Sequence, residues 1–307
     1  MSLFKIDKET LNSVKEMQFD LERDLQRLVE KNLDQIFNLQ FVSSEFQLHG
    51  LRIDSLAFDE ENKSFVIIEY KRDRSQSVID QGFSYLALMV NNKAEFILQY
   101  NDSLKHHLSR TDVDWEQSKV LFISNHFTTY QRKAIEFKDL PIELWEVSKY
   151  ENGLILFNEI KPAEAKESIK TISKDKTIQN VSREVKKYSV EDHFKENWRE
   201  SREIFDALSE KVMNIDARIE MNPKRSYIGF RIGSRNVVSL HIYESKVMIV
   251  FPRTEPKDLK DPEKKVAYWK NSLKHYNQHL STYNVTSLKD VDYAIFLAKQ
   301  GYEKYFK

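Results

Sequence analysis

From Leu51 to Tyr85 the chain reads LRIDSLAFDEENKSFVIIEYKRDRSQSVIDQGFSY. Within it, Arg52, Asp54, Glu69 and Lys71 are residue types that can hold a hard cation and steady charge on a phosphate. Leu51–Phe58 and Ser64–Lys71 are rich in β-branched and aromatic residues and flank a polar turn at 59–63, the pattern of a β-hairpin. A turn centred on Glu61 and Asn62 sets Asp54 opposite Glu69 and Arg52 opposite Lys71, so these four side chains share one face. Carboxylates at cross-strand distance, roughly 5 Å between Cβ atoms, repel one another. A divalent cation such as Mg²⁺ between them would relieve that repulsion and keep waters for a phosphate to displace. A surface hairpin in which Glu69 pairs with Lys71 or Arg52 would use the same residues.

Two helices are expected to frame this face. From Ser75 to Val90, Ile79, Phe83, Leu86 and Val90 form an apolar stripe, and Gln81 and Tyr85, four apart, reach over the acids. From Gln18 to Phe37, Leu21, Leu25, Leu28, Val29 and Ile36 form the stripe of an amphipathic helix, with Glu22 at its margin among Gln26 and Lys31.

Asp54 followed by Glu69-Tyr70-Lys71 resembles the D…ExK core of the PD-(D/E)XK nuclease superfamily, and Gln81-Gly-Phe-Ser-Tyr85 resembles the QxxxY motif of its RecB-like branch. Arg52-Ile-Asp54 with IIEYKR is similar to the mismatch-endonuclease group, over roughly residues 15 to 160. The superfamily's leading proline is replaced by Ile53. The resemblance implies a restriction-endonuclease-like α/β fold and Mg²⁺ or Mn²⁺ held by Asp54 and Glu69. It adds an acid from the first helix: Glu22 in Leu21-Glu22-Arg23-Asp24-Leu25, or Glu30 in reserve.

The 307 residues suffice for two domains, and 48 basic side chains balance 48 acidic ones. The ordinary apolar content fits a soluble globular chain. With no cysteine there is no disulfide, thiol nucleophile or Cys-based zinc site. No apolar run has signal-peptide or bilayer-spanning length, so a cytoplasmic protein without membrane contact is expected. Beyond the hairpin, Ala94–Tyr100 and Lys119–Ser124 read as strands, Thr128 or Thr129 as a helix cap, and Ile142–Val147 and Leu154–Phe157 as a strand pair around Asn152-Gly153. His106, His107 and His126 read as solvated loop residues.

The expected architecture is a nuclease-like domain over 1–160, a polar Lys-rich linker or solvated helix over 161–188 and a smaller α+β accessory domain over 189–307. The last contains a helix through Trp198, Ile204, Phe205, Leu208 and Val212, and strands at Tyr227–Ile232, Val237–Tyr243 and Val247–Phe251. Helices at Pro262–Tyr276 and Lys289–Tyr305 close it. It resembles a domain of unknown function that often follows such nucleases. Lys224, Arg225, Arg231, Arg235 and Arg253, with Tyr227 or Tyr243 as stacking platforms, would form a phosphate-facing patch, although charged residues on a solvent face read the same way. Residues 1–160 hold 19 basic and 27 acidic side chains, and 161–307 hold 29 and 21, so the basic excess lies away from the candidate acids.

The expected activity is metal-dependent phosphodiester hydrolysis, endonucleolytic or exonucleolytic, on nucleic acid, first of all DNA, in repair or in defence against foreign DNA. Lys71 would orient the attacking water or stabilise charge in the transition state, Gln81 and Tyr85 would position substrate or the lysine, and Arg52, Arg72 or Arg74 would contact phosphates. A homodimer is compatible with this reading. The alternative is a non-catalytic nuclease-fold module that binds DNA or protein through its C-terminal domain.

Overall fold

A computed structural model of the chain describes residues 3–17, 19, 22–71, 77–137, 139–161, 168–169 and 175–307. The chain divides into two compact units, 1–59 with 63–187, and 60–62 with 188–307.

The first unit opens with a hairpin, β1 (Leu3–Asp7) and β2 (Thr10–Val14), and a short β3 (Glu16–Met17), none of which the apolar pattern announced. Two helices follow, α1 (Glu22–Lys31) and α2 (Leu33–Phe37), where one continuous helix was expected. Asn32 stands between them with non-helical backbone (φ −127°), so Leu25 and Val29 are buried while Leu28 turns to solvent. Strands β4 (Gln40–Leu48), β5 (Leu51–Asp59) and β6 (Ser64–Lys71) form an antiparallel meander. Helix α3 (Val78–Asn91) starts at Ser77, whose Oγ accepts from the Asp80 N–H at 3.2 Å.

Ala94–Tyr100, expected as a strand, is instead part of helix α4 (Lys93–Leu104). A short apolar run does not distinguish strand from buried helix by period alone. Burial does: Phe96 and Tyr100, four apart, pack against the Phe65 ring at 5.7 and 6.2 Å. Then come β7 (Lys119–Ser124), α5 (Thr129–Ala134) with a Thr128–Gln131 capping box, β8 (Ile142–Tyr150) and β9 (Ile155–Ile160). Asn152 adopts the left-handed conformation in the β8–β9 turn, as its Asn-Gly sequence favours.

The mixed sheet runs β3-β8-β7-β6-β5-β4, with β9 on β8. Pairs β6–β7 and β7–β8 are parallel and end in step. Alternation splits the sheet's side chains between two cores: Leu56, Phe58, Phe65, Ile67, Val120, Phe122, Ile142 and Leu144 under α3 and α4, and Ala57, Val66, Ile68, Tyr70, Leu121 and Ile123 under α1 and α2. This is an α/β architecture with helices on both faces.

The stretch read as a polar linker or solvated helix is helical in part but not solvated throughout. Lys176–Glu184 forms α6, capped by Asp175, and Ile169, Val181 and Val185 are buried in the core under α3. Ile178, Val181 and Val185, at helical spacing, together with Ile169 ahead of the helix, dock a segment whose composition reads as solvated. Residues 162–167 and 170–174 lie outside the described part.

The second unit contains α7 (Arg199–Met213), β10 (Glu220–Pro223), β11 (Ile228–Ile232), β12 (Arg235–Tyr243), β13 (Lys246–Pro252), β14 (Ala267–Tyr268), α8 (Ser272–Tyr276), β15 (Leu280–Val285) and α9 (Val291–Phe306). Its antiparallel sheet has the order β10-β11-β12-β13-β15-β14 and shares a core with α7 and α9. The helix expected over Pro262–Tyr276 is replaced by β14 and the single turn α8. Val266, Trp269 and Leu273 keep helical spacing, but Leu273 is exposed and Tyr268 pairs with Ser281, so the sheet edge takes the segment that the period offered to a helix.

Candidate active site

The β5–β6 ladder has the expected register, from Asp59 opposite Ser64 to Ser55 opposite Ile68, and stops one pair short of Asp54 and Glu69. There the strands part. The Tyr70 N–H donates to Asp54 Oδ2 at 3.1 Å instead of to a β5 carbonyl, and Glu69, Tyr70 and Lys71 continue alongside β7. The expected Arg52–Lys71 opposition is therefore not formed. Arg52, largely exposed, pairs with Glu45 at 3.0 Å and reaches Asp54 Oδ1 at 3.8 Å, while Lys71 turns back to Glu69.

Asp54 and Glu69 are both buried. Glu69 Oε1 accepts from Lys71 Nζ at 3.0 Å and from Gln81 Nε2 at 2.9 Å, whereas Oε2 is buried and has no hydrogen-bond partner among the described residues. Burial, and then the Glu69 charge, push the Asp54 carboxyl up to about 6, against the opposing pull of the Tyr70 N–H, Arg52 and Lys71. Gln81 Nε2 also lies 3.1 Å from the Tyr85 hydroxyl, and that hydroxyl donates to the Arg52 carbonyl at 3.0 Å. Helix α3 is thus tied to both strands through the two residues that its sequence placed four apart. Burial, followed by the Glu69 charge, raises the Tyr85 hydroxyl far above its ordinary range, so it stays protonated.

Gly82 lets α3 approach. A Cβ there would meet Ile142 Cδ1 at 2.5 Å, so any side chain would have to displace the Ile142 side chain.

Glu22 begins α1 as an exposed residue, and nothing described joins it to Asp54 and Glu69. Glu30, two turns on, serves the α1 side of the sheet: Oε1 accepts from Ser55 Oγ at 2.6 Å and from Gln26 Nε2 at 3.0 Å. The Gln26 amide also lies 2.9 Å from the Asp54 carbonyl, and Ser55 Oγ is 3.3 Å from the Tyr70 hydroxyl. This network braces the backbone of the site from behind, and it takes up Glu30, the reserve acid for the metal; Ser55 and the Tyr70 hydroxyl carried no expected role. Arg72 and Arg74 lie outside the described residues.

Among the described residues no three His, Asp or Glu side chains gather as a metal site. What the chain offers is the Asp54–Glu69 pair, one oxygen of it buried and without a described partner, which suits a hard cation that keeps most of its waters. His106 and His107 are exposed, as expected. His126 does not stand alone: Nδ1 is 3.3 Å from Glu146 Oε1, which also pairs with Arg132.

In the second unit the expected phosphate patch is partly spent. Arg253 donates to the Asn236 carbonyl at 2.7 Å and lies over the Tyr305 and Phe306 rings. Tyr227 is buried and cannot stack on a base, while Tyr243 remains exposed.

Fold and site together define an α/β protein whose first unit carries buried Asp54 and Glu69, with Lys71, at the carboxyl edge of parallel strands, where open α/β sheets place their ligands. The chain is 39% identical over 304 residues to an "Uncharacterized protein" of Haemophilus influenzae, spanning 98% of this chain and 99% of that one, and it belongs to the same family. Residues 190–304 match the domain of unknown function DUF5655. No solved structure matches the chain. No described helix is long and apolar enough to cross a membrane.

Proposed function

We propose that the first unit is a metal-dependent nuclease of the PD-(D/E)XK kind, hydrolysing phosphodiester bonds in nucleic acid, with DNA as the first substrate to test. The observation that carries this reading is Glu69: a buried carboxylate fixed on one oxygen by Lys71 and Gln81, with no described partner on the other, beside an Asp54 whose ionised form is disfavoured. A buried charge left half-satisfied costs stability and is retained where function needs it. The order Asp54, Glu69-x-Lys71, Gln81-x-x-x-Tyr85, and the α3 hydrogen bonds that unite these residues, support the same reading.

Asp54 and Glu69 would hold Mg²⁺ or Mn²⁺, which when bound lowers the pKa of a water and offsets phosphate charge. Lys71, tethered to Glu69 Oε1, places an ammonium beside the carboxylates, where it steadies charge developing on the phosphate. Gln81 fixes the Glu69 rotamer, and Tyr85 holds the Arg52 backbone against α3. Arg52 presents an exposed guanidinium at the mouth of the site, suited to a flanking phosphate.

The test is cleavage by the full chain of single-stranded, duplex, mismatched and modified DNA, and of RNA, with Mg²⁺ or Mn²⁺. Cleavage is expected in the wild type and lost in Asp54→Asn, Glu69→Gln and Lys71→Ala, with binding largely kept. Binding without cleavage on every substrate would refute the catalytic assignment and favour a recognition module; equal cleavage by wild type and variants would refute the residue assignment.

A further inference from the structure

The parallel pairings of β6 with β7 and of β7 with β8 end on one row: Lys71 is in register with Ser124, and Ser124 with Glu146. In-register residues of parallel strands point to the same face. One step deeper the row reads Glu69, Phe122 and Leu144, and the two apolar members belong to the core under α3. Glu146 therefore lies on the face that carries Glu69 and Lys71, two strands from Lys71, or about 10 Å at the usual strand spacing.

Glu146 is the hub of a small polar cluster. Its Oε1 accepts from the Phe127 N–H at 2.9 Å, pairs with Arg132, and lies 3.3 Å from His126 Nδ1. Arg132 Nε donates to the Phe127 carbonyl at 3.2 Å. The guanidinium is thus clamped through Nε and Nη2, and no described residue bonds its Nη1. Both cationic-type side chains remain accessible, Arg132 at 37% and His126 at 58% exposure. A carboxylate with only a structural task would be satisfied by the arginine and the Phe127 N–H; the imidazole adds a second exposed donor-bearing group at the same point. A clamped guanidinium with a free edge is pre-organised for a phosphate oxygen.

We propose that Arg132 and His126, held by Glu146, form a second phosphate subsite on the face of the candidate active site. A nucleic-acid strand carries one phosphate per about 3.4 Å of helix axis, so a phosphate bound there lies within about three positions of the one attacked at Asp54 and Glu69. Phosphate contacts carry no base information, so the subsite fixes the register and direction of the strand and not its sequence. The proposal rests on the nuclease reading of this face.

The test is equilibrium binding of a DNA oligonucleotide by the full chain in Ca²⁺ at 50 and 200 mM salt, comparing wild type, Arg132→Gln and His126→Gln. One lost phosphate contact should lower the log–log salt slope by about 1 and weaken binding about tenfold at the lower salt for Arg132→Gln, with about threefold weakening for His126→Gln. Replacing single phosphates by neutral methylphosphonates should weaken wild-type binding at one position near the cut, and should not weaken Arg132→Gln further there. If Arg132→Gln fails to fold, the more exposed His126 decides through the same methylphosphonate comparison. Wild-type binding with slopes and position effects unchanged in both variants would overturn the subsite and leave the nuclease reading standing. Absence of any wild-type binding would overturn both.

Discussion

Replacing Asp54 by asparagine should make the metal-free protein more stable, by an amount that depends on pH. In the folded protein burial and Glu69 raise the Asp54 carboxyl to about 6 from an ordinary 3.8. The native state therefore holds this proton more tightly than the unfolded chain, and ionised Asp54 costs the fold about 3 kcal/mol once both states are deprotonated. The sign follows directly: the cost is absent below about pH 4, grows as pH rises toward 6, and is complete above about pH 7. Asparagine is nearly isosteric, keeps an oxygen for the Tyr70 N–H, and stays neutral throughout. The gain over wild type should thus be about 3 kcal/mol at pH 8 and roughly half that at pH 5. Native-state hydrogen exchange of the β6 and β7 amides in EDTA, corrected for intrinsic rates, reads the opening of the first unit separately from the second. A variant less stable than wild type at pH 8, or a gain that does not change between pH 5 and pH 8, would refute the argument and make Asp54 a structural partner of Arg52.

Mg²⁺ or Mn²⁺ should raise the melting temperature of the first unit, by up to about 2.7 kcal/mol of stabilisation at a hundred times the dissociation constant; calorimetry of Glu69→Gln should show most of that shift gone, and an undiminished shift would place the ion elsewhere. Gly82→Ala gains about 1 kcal/mol of helix propensity but forces Ile142 aside, at about 1–3 kcal/mol, so urea unfolding should show it neutral to mildly destabilised. Gly82→Val should lose clearly more, and cleavage with it, since α3 carries Gln81 and Tyr85; a fully active Gly82→Val would mean that the close approach is dispensable. A fragment ending at Lys187 should show a cooperative melt, whereas one ending at Ile160 removes Ile169, Val181 and Val185 from the core and should melt lower or bind a hydrophobic dye; equal melts would show that the α6 segment adds nothing to the unit.

What the sequence by itself determined was local. The register of the β5–β6 hairpin follows from its polar turn and the alternation of its flanks, which is why Asp59 to Ser55 face Ser64 to Ile68 as the spacing demands. The four-residue step from Gln81 to Tyr85, and the succession of the three strands expected between Tyr227 and Phe251, were legible from local spacing too. Tertiary structure alone decided the rest. Whether Phe96 and Tyr100 lie on a helix or a strand is settled by the Phe58 and Phe65 rings that they meet, not by their own period. The end of the ladder at Ser55, where Asp54 takes the Tyr70 N–H, depends on β6 leaving for β7. Parallel pairing joins Lys71 to Ser124 and Ser124 to Glu146 across intervening helices and loops, so no local pattern could bring Ser124 and Glu146 level with Lys71, or set Glu146 against His126 and Arg132. The Asp54 carboxyl, finally, is raised by burial, and burial belongs to the whole assembly of sheet and helices: the residue types at Asp54 and Glu69 name the chemistry, but only the packing around them sets their charge.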